Sequence, residues 1–176
     1  MVWRRVQAGV QGERARGRAY QPRFHGREVL ASWLGAVLAI TSLGLISGWS
    51  HYPLVVAPFG ASTVLLFGHP RSPLAQPRNL VLGNTVAALV SVVCVAALGH
   101  APWVMGLAVG FTIALGQLLR CLHPPAGAVA LLGVLLAARP SFVVMPVLIG
   151  SLLLAAMAVL FSHLRPATER YPQHWL

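Results

Sequence analysis

The sequence predicts an all-helical integral membrane protein made of two inverted repeats, each with the order long helix, proline-broken short helix, long helix. Three observations lead to this prediction. First, 57% of the 176 residues are hydrophobic and only 9% are charged, whereas a soluble domain carries about 25% charged residues. Second, four apolar stretches are long enough to cross a hydrocarbon layer about 30 Å thick. Third, two shorter apolar stretches, each containing proline, occupy matching places in the two halves of the chain.

An Arg-rich tail, residues 1–27, precedes the first apolar stretch. It holds seven of the thirteen basic residues, and the chain has a formal net charge of +10. Basic residues that flank a span favour the cytoplasmic side of the membrane, and they also attract anionic lipid. We therefore expect this charge to face a lipid bilayer rather than nucleic acid, with both termini cytoplasmic and a bacterial inner membrane as the location.

The first half of the membrane domain, about 28–98, contains three apolar segments. A full span is predicted at about 29–49. Pro53 and Pro58 interrupt the next segment and leave a short helix at about 60–68. A polar connector with three Pro and two Arg follows, and a second full span is predicted at about 80–98.

The second half, about 99–165, has the same order of segments. A full span is predicted at about 103–119 and is followed by the motif HPPAGA at 123–128 and a short helix at about 127–138. Arg139-Pro140 predicts a turn, and the last full span is predicted at about 142–161. Residues 166–176 form a short polar and aromatic C-terminal tail.

A shift of 67 residues places the two halves in register. It aligns Pro58-Phe59-Gly60-Ala61 with Pro125-Ala126-Gly127-Ala128, Pro73 with Pro140, and Gly83 with Gly150. Each half then contains three crossing segments, an odd number, so the second half enters the membrane from the opposite side. Inverted repeats of this kind are found in many secondary transporters.

The Arg residues outside the tail agree with six crossings and a cytoplasmic N-terminus. The residues placed on the cytoplasmic side are Arg71, Arg78, Arg120, Arg165 and Arg170, and Arg139 is the exception. The alternative is four full spans with two re-entrant short segments. Both arrangements keep the two termini on one side, but they place Arg71, Arg78 and Arg120 on opposite sides.

Proline and glycine in the short apolar segments need a physical reason. In hydrocarbon every backbone N–H and C=O must be paired, and proline removes one donor and frees a carbonyl one turn earlier. Because proline is favoured in the first turn of a helix, we predict two half-helices that start just after Pro58 and Pro125. Their positive N-terminal ends, with Gly60 and Gly127 allowing close approach, suit an anion. The alternative is that these residues only kink the helices and allow close packing.

Polar side chains near these segments are the candidates for chemistry. The neutral ones, expected to make interhelical hydrogen bonds or to line a path, are Ser62, Thr63, Asn84, Thr85 and Gln117. His123 directly precedes its half-helix and is interpreted as an anion donor, a proton-coupling group or a gate, with a helix-entry cap as the alternative. Arg78 and Arg120 flank the short segments, where they either attract an anion or mark the cytoplasmic side.

The sequence predicts no enzyme, no metal centre and no cofactor. No Asp or Glu lies within a predicted span, and no HExxH, GxSxG or Walker motif is present. Cys94 and Cys121 lie in apolar stretches without metal-ligand spacing, so we expect them to be buried packing residues. A basic interior without acidic groups suits a small anion or a neutral solute better than a cation.

Two blocks of the sequence carry a family resemblance. PFGASTVLLFGHPRSPLAQPRN at 58–79 and HPPAGAVALL at 123–132 resemble the two signature blocks of the HPP family of integral membrane proteins. The resemblance covers about residues 28–165. It implies a membrane domain with at least four spans and a transport function, since family members in plastids and cyanobacteria are implicated in nitrite transport.

The two motifs, together with the polar residues beside them, define the expected site. The candidate solute-binding residues are Phe59, Gly60, Ala61, Ser62, Thr63, His123, Pro125, Ala126, Gly127 and Ala128. The candidate vestibule or gating residues are Gln76, Arg78, Asn79, Gln117 and Arg120. We expect the N–H groups of the half-helix starts to bind the anion, His123 to donate a hydrogen bond or a proton, and the arginines to steer ions.

The leading functional hypothesis is a transporter or channel for a small inorganic anion, with nitrite as the first choice. One alternative is a passive pore for a small neutral solute such as nitrous acid. Another is a membrane scaffold or sensor subunit that transports nothing. A homodimer or higher homo-oligomer is expected, because six short segments make a thin wall around a path.

Overall fold

The computed structural model describes residues 2–20, 23–50, 57–164 and 170–175, and within these ranges the regular elements are helical, with no strand. The α-helices are α1 (Val2–Tyr20), α2 (Gly26–Ser50), α3 (Ala57–Gly68), α4 (Pro77–Leu98), α5 (Pro102–Leu118), α6 (Pro124–Leu135) and α7 (Ile149–Ser162). A 3₁₀ turn, Pro73–Ala75, precedes α4, and a π-helical segment, Val143–Leu148, leads into α7. Pro53 and Arg165 lie outside the described residues.

Three of the described helices are long and apolar enough to cross a membrane. They are Gly26–Trp49, Pro77–Leu98 and Val143–Ser162. Three shorter apolar helices, α3, α5 and α6, lie between them in the chain. The expected all-helical architecture of long and short apolar helices is confirmed, but α5, expected as a full span at 103–119, is among the shorter helices because it has only 17 residues.

The Arg-rich segment contains α1, a helix that the sequence did not indicate. Contacts divide the chain into residues 1–30 and 31–176, and α1 belongs to the first of these units. Its described side chains are exposed, and Glu13 and Arg16 form an ion pair one turn apart. Because no apolar face marks α1, the periodicity that identifies a packed helix is missing from this segment.

Two buried apolar clusters hold residues 31–176 together, and each combines helices from both halves. The first contains residues of α4, α5 and α6, with Ala87, Ala108 and Val129 fully buried, and it also includes the start of the last span. The second contains residues of α2, α3 and α7, with Leu43 and Phe59 fully buried, and it also includes the first turn of α4 and the C-terminal segment. The last helix of each half therefore packs with the first two helices of the other half.

Small residues allow the helices to approach closely. A Cβ atom at Gly133 of α6 would lie 2.1 Å from Oγ of Ser91 of α4. One at Gly35 of α2 would lie 2.4 Å from the Phe67 ring of α3. Such contacts are typical of membrane helices, whose association depends on close packing because the surrounding lipid is equally apolar.

The last span differs from the single regular helix expected at 142–161. Its first part, Val143–Leu148, is π-helical, and Met145 has non-helical dihedral angles (φ −122°, ψ 119°). The reason is Pro146, which lacks an N–H group and disfavours the helical conformation of the residue before it. The chain becomes regular α-helix at Ile149.

Candidate functional site

The short helices α3 and α6 begin about three residues before the predicted 60 and 127, so that Pro58 and Pro125 lie in their first turns. Both helices have twelve residues; Pro58 is the second residue of α3, and Pro124 and Pro125 are the first two of α6. His123 is the N-cap of α6, with extended dihedral angles (φ −132°, ψ 111°). Proline suits these positions because its fixed φ matches the helix and its missing N–H has no intrahelical partner there.

The start of α6 has few backbone donors left for a ligand. Pro124 and Pro125 have no N–H, and the N–H of Ala126 donates to the carbonyl of His123 at 2.9 Å. The positive end of the helix dipole is still present at this point. An anion near α6 would therefore experience the field of the helix more than direct hydrogen bonds from its first turn.

His123 joins three elements through both of its ring nitrogens. Nε2 lies 2.9 Å from Oγ of Ser62 in α3, and Nδ1 lies 2.9 Å from the carbonyl oxygen of Leu74 in the 3₁₀ turn. A carbonyl can only accept, so Nδ1 carries the proton, and in the neutral ring Nε2 accepts from the Ser62 hydroxyl. His123 is 2% exposed and Ser62 is 0% exposed. The ring thus fixes the start of α6 against α3 and the connector before α4.

The first turn of α4 holds the segment that leads into His123. The Asn79 side-chain amide donates to the Leu122 carbonyl at 2.7 Å, and the Arg78 guanidinium donates to the Leu119 carbonyl at 3.1 Å. A Cβ atom at Gly83, one turn further along α4, would lie 2.6 Å from the Cys121 carbonyl oxygen. Asn79 and Gly83 therefore position His123 through the backbone of the α5–α6 connector.

Gln76 connects the α3–α4 connector to the C-terminal segment 170–175. Its amide nitrogen donates to the carbonyls of Pro70 (3.1 Å) and Ser72 (2.8 Å), and its oxygen accepts from the backbone N–H of Gln173 at 2.8 Å. The Tyr171 hydroxyl donates to the Ala75 carbonyl at 2.9 Å. Gln76, expected at a vestibule, is fully buried beneath this segment.

Sequence reasoning missed the roles of Leu74, Tyr171 and Gln173. Leu74 acts through its backbone carbonyl, which no side-chain pattern reports. Tyr171 stood in a polar tail, yet it is 4% exposed and packs in the second apolar cluster. Burial raises the pKa of the Tyr171 phenol, so the hydroxyl remains a donor.

The structure brings only part of the expected site together. Gly60, Ala61, Ala128, Gln117 and Arg120 have exposed positions, while Phe59, Ser62, Thr63, His123, Pro125 and Ala126 are buried. Thr63 donates to the Phe59 carbonyl in its own helix at 2.7 Å. Gly127 is half-buried, and a Cβ atom there would lie 3.9 Å from the Val109 side chain.

Arg120 has a clear role in the local fold. It has a positive φ of 53° at the C-terminal end of α5. The N–H of Cys121 donates to the Gly116 carbonyl at 2.8 Å, and the N–H of Arg120 donates to the Gln117 carbonyl at 3.2 Å. These two bonds form a Schellman motif, which ends α5. Arg120 itself is exposed.

A second polar contact lies between α4 and α7. The Asn84 amide nitrogen donates to Oγ of Ser151 at 3.1 Å, and both residues are 0% exposed. The expected interhelical bond of Asn84 is confirmed, whereas Thr85 donates to the Val81 carbonyl of its own helix. Among the described residues, three buried side-chain atoms have no hydrogen-bond partner, namely Arg78 Nε, Asn84 Oδ1 and Thr112 Oγ1. Within the described ranges, no three His, Cys, Asp or Glu side chains lie close enough together to hold a metal ion.

Comparison with known proteins gives three findings. Residues 21–172 match the family model of the HPP transmembrane region. A transmembrane protein of Dictyostelium discoideum is 34% identical over 165 residues, covering 84% of this chain and 56% of the relative, and a second is 35% identical over 164 residues, covering 84% and 51%. The chain spans about half the length of the curated relatives it matches. No solved structure matches it.

Proposed function

Because this chain belongs to the HPP family of integral membrane proteins, we propose that it moves a small inorganic anion, with nitrite as the first choice, across a membrane. The relatives matched in Dictyostelium discoideum are named only as transmembrane proteins. The proposal therefore depends on the physical properties of the buried polar region.

The observation that carries the proposal is the buried Ser62–His123 hydrogen bond between the two short helices. This bond puts the N-terminal end of α6 beside the second turn of α3. Each helix start has a partial positive charge from aligned peptide dipoles. No acidic residue occurs between Glu28 and Glu169 to oppose that field. Such an interior favours an anion, or a neutral solute, over a cation.

The helix boundaries support the proposed inverted repeat. Shifted by 67 residues, the range of α3 (57–68) becomes 124–135, which is the range of α6. The two apolar clusters are related in the same way. The shift pairs α2 with α5, α3 with α6 and α4 with α7, so the cluster built on α2, α3 and α7 corresponds to the cluster built on α5, α6 and α4. Transporters built from such repeats bind their solute where the repeats meet, near the midplane of the bilayer.

The arginines support the direction of the proposed path. Arg71 and Arg78 flank the 3₁₀ turn, and Arg120 ends α5. In the six-crossing arrangement these residues lie on the cytoplasmic side, where their charge would raise the local concentration of an anion at the mouth of the path. We propose this arrangement, with cytoplasmic termini, in a bacterial inner membrane.

The test is uptake by purified protein reconstituted in proteoliposomes. We expect nitrite uptake above that of protein-free vesicles, with discrimination against larger anions such as sulfate. Vesicles that contain folded protein, verified by helical circular dichroism, but take up none of nitrite, nitrate, formate or chloride would rule out the proposal and favour a scaffold or sensor role.

A pore for the neutral acid is the second candidate, favoured by the unpartnered oxygen of Asn84. A carbonyl oxygen accepts hydrogen bonds, and nitrous acid has a proton to donate where nitrite has none. This candidate predicts uptake that follows the concentration of the protonated acid as the pH is lowered and that carries no electrical current. Uptake of the anion predicts a current, or a coupled ion flux that balances it.

A further inference from the structure

The Asn84–Ser151 pair is a buried polar contact with hydrogen-bonding capacity left over. The Asn84 amide donates to the Ser151 hydroxyl at 3.1 Å, and both residues are fully buried between α4 and α7. The amide oxygen has no partner among the described residues. A buried polar atom without a partner destabilises a folded protein, so the unpaired oxygen of Asn84 needs an explanation.

The pair also occupies a special position in the sequence. Asn84 and Ser151 are 67 residues apart, the same shift that takes α3 onto α6. In a two-fold arrangement, equivalent residues can contact each other only on or beside the symmetry axis. A direct hydrogen bond between this equivalent pair therefore puts it at the axis of the proposed repeats.

We propose that the free side of the Asn84 amide, held by Ser151, binds the solute at the point where the two repeats meet. This proposal rests on the transport function proposed above and specifies its binding site. A hydroxyl both donates and accepts, so Ser151 can pair with either group of the amide. The other group then faces the solute as a donor to an oxyanion or as an acceptor for its protonated form. The ligand class is a small oxygen acid such as nitrite, in either state.

Three other polar groups are less suited to this role. Both ring nitrogens of His123 already have protein partners. The Arg78 residue is only partly buried, and although its Nε has no partner, another nitrogen of the guanidinium donates to the Leu119 carbonyl. Thr112 offers a single hydroxyl on one helix. Asn84 and Ser151, by contrast, supply one residue from each of the two proposed repeats. An uncharged amide also attracts an anion less strongly than a charged group does, so the bound solute can be released.

The direct test compares Asn84→Ala with Ser91→Ala in nitrite uptake and in nitrite binding. Ser91 is a matched control, because it is fully buried in the same helix and its hydroxyl donates to the Ala88 carbonyl of that helix. Binding is read as the shift of the thermal unfolding midpoint when sodium nitrite replaces sodium sulfate. We expect Asn84→Ala to lose at least ten-fold in initial uptake rate and to lose the nitrite-induced shift, while Ser91→Ala keeps both.

The outcomes separate the binding site from the function. If the wild type takes up nitrite and Asn84→Ala takes it up at the same rate, the proposed binding site is wrong but the transport function stands. An Asn84-dependent nitrite shift without any uptake would support the site and overturn transport. Neither uptake nor a shift in the wild type would overturn both.

A second variant, Ser151→Cys, covers the case in which Asn84→Ala does not fold. It is made in a Cys94→Ala/Cys121→Ala background, because these are the two native cysteines. We expect a small water-soluble methanethiosulfonate reagent to modify the Ser151→Cys thiol and nitrite to slow this reaction, while Ser91→Cys, packed against Gly133, stays unmodified. A Ser151→Cys thiol that is inert, or that reacts at the same rate with and without nitrite, would overturn the site.

Discussion

His123 acts as a connection between elements in this structure. Its ring bonds Ser62 of α3 and the Leu74 carbonyl, and it also forms the N-cap of α6. In the neutral ring Nε2 carries no proton, so donation from Nε2 to a solute would require both that the Ser62 bond break and that the ring gain a proton. If His123 couples proton movement to solute movement, α3 must separate from α6 for this to happen. Coupling would then be a conformational step rather than a simple binding contact.

Substituting His123→Ala should destabilise the protein. The change leaves the Ser62 hydroxyl and the Leu74 carbonyl without their partner, and an unsatisfied buried group costs about 1–3 kcal/mol. The measurement is the thermal unfolding midpoint in detergent. Ser62→Ala is the matched control and should cost less, because it removes one of the two bonds. Equal midpoints for His123→Ala and the wild type would contradict this role.

Gly83→Ala should also destabilise the protein, for a steric reason. The new Cβ atom would meet the Cys121 carbonyl oxygen at 2.6 Å and the His123 Cβ atom at 2.8 Å. The backbone carbonyl cannot turn away as a side chain can, and overpacking of this kind costs about 1–3 kcal/mol. Gly106→Ala in α5 is the control, since nothing lies within 4 Å of its Cβ position. A Gly83→Ala variant as stable as Gly106→Ala would show that the α5–α6 connector moves freely.

At the scale of elements, the sequence predicted the short helices well because proline marks their starts. The predicted starts, just after Pro58 and Pro125, fall within the first turns of α3 and α6. The π-helical segment was missed although Pro146 was visible, because hydropathy alone does not show where a long apolar stretch changes its hydrogen bonding. The packing of the C-terminal segment was missed because it depends on contacts between residues 96 and 97 positions apart.

The C-terminal segment should contribute measurably to stability through Tyr171. Tyr171→Phe keeps the ring but removes the bond to the Ala75 carbonyl, at a cost of about 0.5–1.5 kcal/mol. Burial raises the pKa of this phenol, so its contribution is present below its ordinary value of 10.0 and is lost as the pH rises above it. Unfolding midpoints measured from pH 8 upwards should therefore fall more steeply in the wild type than in Tyr171→Phe. Parallel curves for the two proteins would contradict the role of the buried hydroxyl.

At the scale of the whole molecule, residues 31–176 join two halves that exchange their last helices. α4 packs with α5 and α6, and α7 packs with α2 and α3. The proposed repeat rests on a few aligned prolines and glycines of the sequence, and these gave no sign of how the helices of the two halves pack. The sequence predicted an interhelical bond for Asn84 but not its partner Ser151, because the partner depends on how the two halves meet.

The proposed six crossings can be tested by labelling. In a background without Cys94 and Cys121, His69→Cys and His100→Cys place thiols at exposed positions before and after α4. Six crossings predict that a membrane-impermeant maleimide, added outside intact cells, labels His100→Cys and not His69→Cys. Two re-entrant short segments would give the reverse pattern, because α3 would then return to the outer side.

The most direct test of the central claim is the initial rate of nitrite uptake into proteoliposomes that contain the purified wild-type protein. Protein-free vesicles and vesicles with the Asn84→Ala variant are measured in parallel at the same pH and salt concentration. We predict saturable wild-type uptake well above that of protein-free vesicles, and at least a ten-fold lower rate for Asn84→Ala. Wild-type uptake equal to that of protein-free vesicles, with folded protein present, would contradict the claim.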